Sequence, residues 1–147
     1  MVKFKNRYVL AQVIPDPVLC QPSAEFSTSD IYRSIWDVVC SIHGDFGAGS
    51  CKQSLQVKLF NDETSIVVVR ISRPELNLLL GVLPFVSKIG RNPAFLRTIH
   101  VGGSMRSCEK ALLRFHKLHM LASLPKAHTI EEKKKILVAL KKTNISI

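Results

Sequence analysis

The stretch at residues 65–71, Ser-Ile-Val-Val-Val-Arg-Ile, constrains this chain more than any other segment. Three consecutive valines between isoleucines favour extended backbone, because β-branched side chains lose rotamer freedom in a helix and fit a pleated surface. A strand that is apolar at nearly every position has no wet face, so the segment predicts a central strand covered on both sides. Just before it, Leu55, Val57 and Leu59 alternate with Gln56 and Lys58, the period-two mark of a strand with one solvated face. The polar residues Asn61, Asp62, Glu63 and Thr64 turn the chain between the two, giving a hairpin.

The remaining elements arrange themselves around that hairpin. Residues 7–14, Arg-Tyr-Val-Leu-Ala-Gln-Val-Ile, predict a strand closed by Pro15 and Pro17. Ser27 with Asp30 fits a capping box, and Ile31, Ile35, Val38, Val39 and Ile42 then recur with the period of a helix. Gly44 ends that helix, leaving residues 43–50 as a glycine-containing loop. Beyond the hairpin, Ser72 is the candidate N-cap of a second helix, with Pro74 in its first turn and Glu75 near the positive end of its dipole. Leu76, Leu79, Leu80, Leu83 and Val86 form its apolar stripe, and Gly81 and Pro84 predict a kink or an early end near Leu83. Residues 94–101 predict a fourth strand. Gly102, Gly103 and Ser104 lead from it into a third helix carrying Ala111, Leu112, Phe115 and Leu118 on one side, and Pro125 follows that helix. Thr129 and Glu132 then head a short basic helix with Ile136, Leu137 and Leu140 as its docking edge.

Strand, helix, strand, strand, helix, strand is the split βαβ order. The expected fold class is therefore α+β, ferredoxin-like: an antiparallel four-stranded sheet with two helices on one face and additional C-terminal helices. A domain over residues 1–125 and a basic helix or tail over 126–147 is the expected organisation. The second face of the sheet is left for the extra helices, a partner or RNA.

Charge narrows the function. The chain of 147 residues carries 21 Lys and Arg against 11 Asp and Glu, a net charge of +10 that favours a polyanionic partner. Residues 105–147 hold ten of those cations against three acidic groups, so the C-terminal part is the electropositive end. Cys20, Cys40, Cys51 and Cys108 form no C-x-x-C pair, which excludes a zinc ribbon or a dithiol redox motif and leaves reduced thiols as the expectation. No apolar run has the length of a signal peptide core or a membrane span, so a setting inside the cell without membrane contact is expected.

The candidate contacts for a polyanion fall into three groups. Lys3, Lys5 and Arg7 alternate with Phe4 and Asn6, so an extended arm would carry the cations along one side. Arg70 and Arg73 lie at the end of the central strand. Arg97 and His100 precede the Gly102, Gly103, Ser104 turn, and Arg106 and Lys110 follow it one helical turn apart. Glycines and a helix start suit a phosphate, and they equally suit a turn in which glycine answers a conformational need. The third strand carries none of the aromatics with which an RNA recognition motif stacks bases, so backbone and shape recognition is the expected mechanism. Histidines 43, 100, 116, 119 and 128 lack both an H-E-x-x-H motif and clustered carboxylates, which leaves no self-sufficient catalytic or metal site. Three classes remain in view. They are a subunit of an RNA particle, a small nuclease using His100 and the Gly102–Gly103 turn, and a protein adaptor whose basic tail is incidental.

Four segments carry a family resemblance: residues 2–8 (VKFKNRY), 43–49 (HGDFGAG), 83–89 (LPFVSKI) and 96–110 (LRTIHVGGSMRSCEK). In order and spacing they resemble the "processing of precursor RNAs, subunit five" family of ribonuclease P and RNase MRP proteins, over roughly residues 2–120. The resemblance implies a non-catalytic subunit that braces the catalytic RNA while that RNA removes the 5′ leader of precursor tRNA, with a related particle processing ribosomal RNA. It implies no cofactor on this chain and magnesium on the RNA. The implied partners are the ribonuclease P or MRP RNA, precursor tRNA, a larger barrel-shaped protein subunit and a paralogous ferredoxin-like one. The implied location is the nucleus and nucleolus. The lysine-rich end departs from the family pattern, so no role passes to residues 126–147.

Overall fold

A computed structural model describes residues 5–20, 25–126 and 129–145. The chain divides into two compact units, Met1–Cys108 and Glu109–Ile147.

The first unit is built on β1 (Asn6–Pro15), α1 (Thr28–Cys51), β2 (Gln56–Asn61), β3 (Ile66–Ser72), α2 (Leu76–Val82), β4 (Lys88–Ile89) and β5 (Asn92–Gly102). The strands form one sheet in the order β2-β3-β1-β5-β4, antiparallel throughout. The sheet thus has five strands where four were expected. The added strand is the two-residue β4, paired with the start of β5 through Gly90 and Arg91. Gly90 sits at φ 61°, the left-handed region that glycine enters without steric cost. Two residues are too few to carry a period, which is why the sequence pattern passes over them.

β3 is a central strand, paired with β1 on one side and β2 on the other, as its valine run requires. Val67, Val69 and Ile71 point to one face, where Val9, Ala11, Val13, Ala94 and Leu96 of the neighbouring strands join them in the main core. Ile31, Ile35 and Val39 of α1 and Leu79 and Val82 of α2 cover that face and are fully buried. Removing each such side chain from water stabilises the fold by about 1.5–3 kcal/mol. On the opposite face Leu10, Ile66 and Val68 are also buried, so β3 has no wet side.

The helix starts and stops follow local chemistry with two departures from expectation. Ser27 caps α1 as expected, the Asp30 amide donating to Ser27 Oγ at 3.1 Å, whereas the Asp30 carboxylate accepts the Ser27 hydroxyl at 2.9 Å in place of the backbone amide of a full capping box. Gly44 bends α1 instead of ending it, with φ 59° and ψ −153°, and helical backbone resumes to Cys51, so residues 43–50 are not a loop. The resumed segment stays in place because Gly47 is buried against His43 and Val39, where a Cβ would run into His43 Cβ, and because the His43 ring bonds to the Leu78 carbonyl of α2 at 3.2 Å. Ser72, expected as an N-cap, is the last residue of β3. Glu75 holds the cap position of α2 without a side-chain cap bond. α2 ends at Val82, and a single 3-10 turn at Leu83–Phe85 takes up Pro84, as its missing amide demands. Leu83 and Val86 remain buried.

α3 (Met105–Ser123) begins in the first unit, and α4 (Ile130–Ile145) belongs to the second, after a 3-10 turn at Leu124–Lys126 that contains Pro125. Phe115 faces His119 with ring centroids 6.3 Å apart, and its contact with His116 is tilted at 6.1 Å. Burial, and secondarily the neighbouring His119, hold the His116 ring below its usual pKa. Leu140 is buried, whereas Leu137 and Val138 are about half exposed.

Candidate nucleic-acid interface

Antiparallel pairing brings the start of β1, the end of β3 and the end of β5 to one edge of the first unit. Asn6 lies opposite Ser72, Tyr8 lies opposite both Arg70 and Gly102, and the Arg73 amide donates to the Lys5 carbonyl at 2.8 Å. Sites far apart in sequence therefore meet: Lys5 and Arg7 from the arm, Arg70 and Arg73 from β3, and Gly102, Gly103 and Ser104 from the last strand-to-helix junction. Lys3 lies outside the described residues. Arg97 does not reach this edge. It pairs opposite Gln12, four positions along β1 from Tyr8, or roughly 13 Å at strand rise. Arg106 occupies the first turn of α3, exposed, and Lys110 follows one turn later within the second unit.

The junction has a defined local structure. His100 Nε2 and Ser107 Oγ share a hydrogen bond of 3.1 Å that spans Gly102. A Cβ on Gly102 would lie 2.8 Å from Ser107 Oγ and 2.9 Å from Ser107 Cβ, so only glycine lets this bond form over the backbone. Gly103 is different: a Cβ there would meet only Arg7 Nη1, at 3.7 Å. Neither glycine has a left-handed φ; close approach, not conformational freedom, accounts for Gly102, and nothing in the structure requires glycine at Gly103. The Arg7 guanidinium donates to the Asn6 carbonyl at 3.0 Å, which holds it beside Gly103. Ser104 caps α3: its hydroxyl accepts the Ser107 amide at 3.3 Å, using one of the first-turn donors that an anion would otherwise engage.

At the same end of the sheet lies a cleft of about 670 Å³, lined by Lys5, Arg70 and Arg73 together with Ser50, Gln53, Ser54, Ser72 and Glu75, among others. Arg70 is steadied by a bond from its Nη1 to Gln56 Oε1 of β2 at 3.4 Å. Burial, with the Glu75 carboxylate as a second cause, pushes the Cys51 thiol above its usual pKa. Sequence reasoning found the three cations and missed the polar wall. Ser50 lies in the α1 segment read as a loop, Gln53 and Ser54 lie in the turn just after α1, and Ser72 was assigned to a cap. Among the described residues no group of three His, Cys, Asp or Glu side chains is placed to hold a metal ion, and no helix is long and apolar enough to cross a membrane. Cys20, Cys40, Cys51 and Cys108 form no disulfide, and the Cys108 thiol donates to the Tyr8 carbonyl at 3.7 Å.

Comparison with known proteins gives this geometry a context. The sequence model of the Rpp14/Pop5 family matches residues 7–113. The chain is 34% identical over 128 residues to the ribonuclease P/MRP protein subunit POP5 of Bos taurus, covering 84% of this chain and 74% of the relative. It is 34% identical over 129 residues to the subunit of the same name from Homo sapiens, covering 84% and 77%. A chain in the cryo-EM structure of yeast ribonuclease MRP shares the fold with a TM-score of 0.55 at 7% identity, covering 83% of this chain and 98% of that one.

Proposed function

Because this chain belongs to the Rpp14/Pop5 family, we propose that it serves as a non-catalytic protein subunit of the ribonuclease P and RNase MRP ribonucleoproteins. In this role the chain binds the particle's RNA, which removes the 5′ leader of precursor tRNA and, in RNase MRP, processes ribosomal RNA. The hydrolysis and its magnesium ions belong to the RNA. We read the four long strands as a ferredoxin-like core and β4 as a hairpin added to its edge. The proposed neighbours are a larger barrel-shaped protein subunit and a paralogous ferredoxin-like one, and the proposed location is the nucleus and nucleolus.

The observation that carries this reading is the convergence of Lys5, Arg7, Arg70 and Arg73 on the end of the sheet that also holds the Gly102–Gly103 junction. Cations so gathered neutralise neighbouring phosphates and release their counterions, which makes affinity fall steeply with salt. Arg106 adds a further cation at the start of α3, Lys110 of the second unit is proposed as a separate contact, and His100 orients the junction through Ser107.

Titrating the purified chain against ribonuclease P RNA at a series of salt concentrations tests the reading. Lys5→Ala and Arg106→Ala each lower the slope of log affinity against log salt by about 0.7–0.9 for each phosphate contact removed. An unchanged slope in both variants, or cleavage of precursor tRNA by the protein freed of RNA, refutes it.

A further inference from the structure

The cleft lined by Lys5, Arg70 and Arg73 holds unsatisfied chemistry. Among the described residues, the buried side-chain atoms without a hydrogen-bond partner are Ser54 Oγ, Arg70 Nε, Ser72 Oγ and Glu75 Oε2. All four belong to residues that line this one cleft. A buried polar atom left unpaired costs about 1–3 kcal/mol, so four in one place mark a site built for a polar occupant. We propose that the cleft receives a single unpaired RNA nucleotide, with guanine preferred. This inference rests on the RNA-subunit reading above.

The lining decides the occupant. Lys5 and Arg73 are exposed at the mouth, where a sugar–phosphate backbone passes. Arg70 lies deeper, with one guanidinium nitrogen fixed on Gln56 and Nε left to donate to an acceptor. Free phosphate is a poor fit, because Glu75 puts a carboxylate into the same space and would repel it. A nucleotide answers both signs of charge: its phosphate meets the cations, and its base presents N–H donors to the carboxylate. Guanine offers two adjacent donors, N1–H and the N2 amino group, in the spacing a carboxylate accepts bidentately. The Ser54 and Ser72 hydroxyls both donate and accept, which suits a ribose 2′-OH and distinguishes RNA from DNA. At about 670 Å³ the cleft lies within the range of about 300–1,000 Å³ in which pockets enclose a small ligand.

Fluorescence anisotropy of the full chain with three labelled ten-nucleotide RNAs tests the proposal: oligouridine, the same oligomer with one central guanosine, and the same with inosine at that position. The expected result is on the order of tenfold tighter binding of the guanosine oligomer than of oligouridine. Inosine, which lacks the N2 amino group, falls between them, and Glu75→Gln abolishes the guanosine preference. Equal binding of all three oligomers by the wild-type chain overturns the cleft assignment while leaving the RNA-subunit reading intact. Failure to bind any of them, together with failure to bind ribonuclease P RNA, overturns both. Should Glu75→Gln not fold, the inosine comparison on the wild-type chain decides: an oligomer bound as tightly as the guanosine one refutes the role of Glu75.

Discussion

The two adjacent glycines at the β5–α3 junction respond oppositely to the same substitution. In Gly102→Ala the new Cβ arrives 2.8 Å from Ser107 Oγ and 2.9 Å from Ser107 Cβ. The second contact is decisive. A hydroxyl can rotate away, but a Cβ moves only with the backbone of α3, and Gly102 is itself held in register opposite Tyr8. Overpacking of this kind costs about 1–3 kcal/mol, and loss of the His100–Ser107 bond adds about 1 kcal/mol. The total is about 2–4 kcal/mol. With a urea slope of about 2 kcal/mol per molar, the unfolding midpoint drops by about 1–2 M. Gly103→Ala meets only Arg7 Nη1 at 3.7 Å and has no left-handed φ to strain. It changes stability by less than about 0.5 kcal/mol, or raises it through the reduced entropy of the unfolded chain. Adding Ser107→Gly to Gly102→Ala removes the colliding Cβ, so the double variant loses less than the sum of the single losses. Equal midpoint shifts for the two alanine variants, or strict additivity in the double variant, would refute the packing argument.

Ile35, fully buried between α1 and the sheet, gives a loss of about 2–5 kcal/mol on replacement by alanine, read as a lower urea midpoint with an unchanged slope. The depressed His116 pKa means the unfolded chain binds a proton there more readily than the folded one, so stability from this group is present above the usual histidine value of 6.5 and is lost as pH falls below it. Thermal melts across that window show a rising Tm with pH that His116→Asn flattens. Cys51 is buried with a raised pKa, so a thiol reagent at neutral pH labels the half-buried Cys20 and Cys40 first and reaches Cys51 only on unfolding, as mass spectrometry of timed samples records.

Legibility in the sequence followed the length over which a physical signal repeats. The Val67–Val69 run, the Ile31–Ile35–Val38–Val39–Ile42 stripe and the Ser27–Asp30 cap each state their structure within a few residues, and each element stands where its pattern puts it, although Ile42 at the end of the stripe is exposed. Pro84 likewise announces the end of α2. The misread places are those where a partner distant in sequence decides the outcome. Gly44 reads as a stop because glycine commonly ends helices; what carries α1 onward is the packing of Gly47 under His43 and the bond from His43 to Leu78. Ser72 reads as a cap because nothing nearby reveals that its backbone is claimed by Asn6. The cations of the interface were visible because charge is a property of single residues. Their convergence was legible only through strand order, and the cleft behind them, assembled from three separate segments, was not legible at all.

The bend at Gly44 has a consequence for how this protein tolerates mutation. Its φ of 59° and ψ of −153° lie at the border of territory that essentially only glycine occupies, yet a side chain there would touch nothing within 4 Å. Judged by its neighbours, the position is an open surface site where any residue should be acceptable. Mechanically it is a pivot: the arm beyond it carries Ser50, Gln53 and Ser54 to the wall of the cleft, six to ten residues away. An inherited change at this solvent-facing glycine would therefore displace the cleft wall and, on the function proposed above, weaken RNA binding, in a place that neither a contact map nor a surface-charge survey would flag.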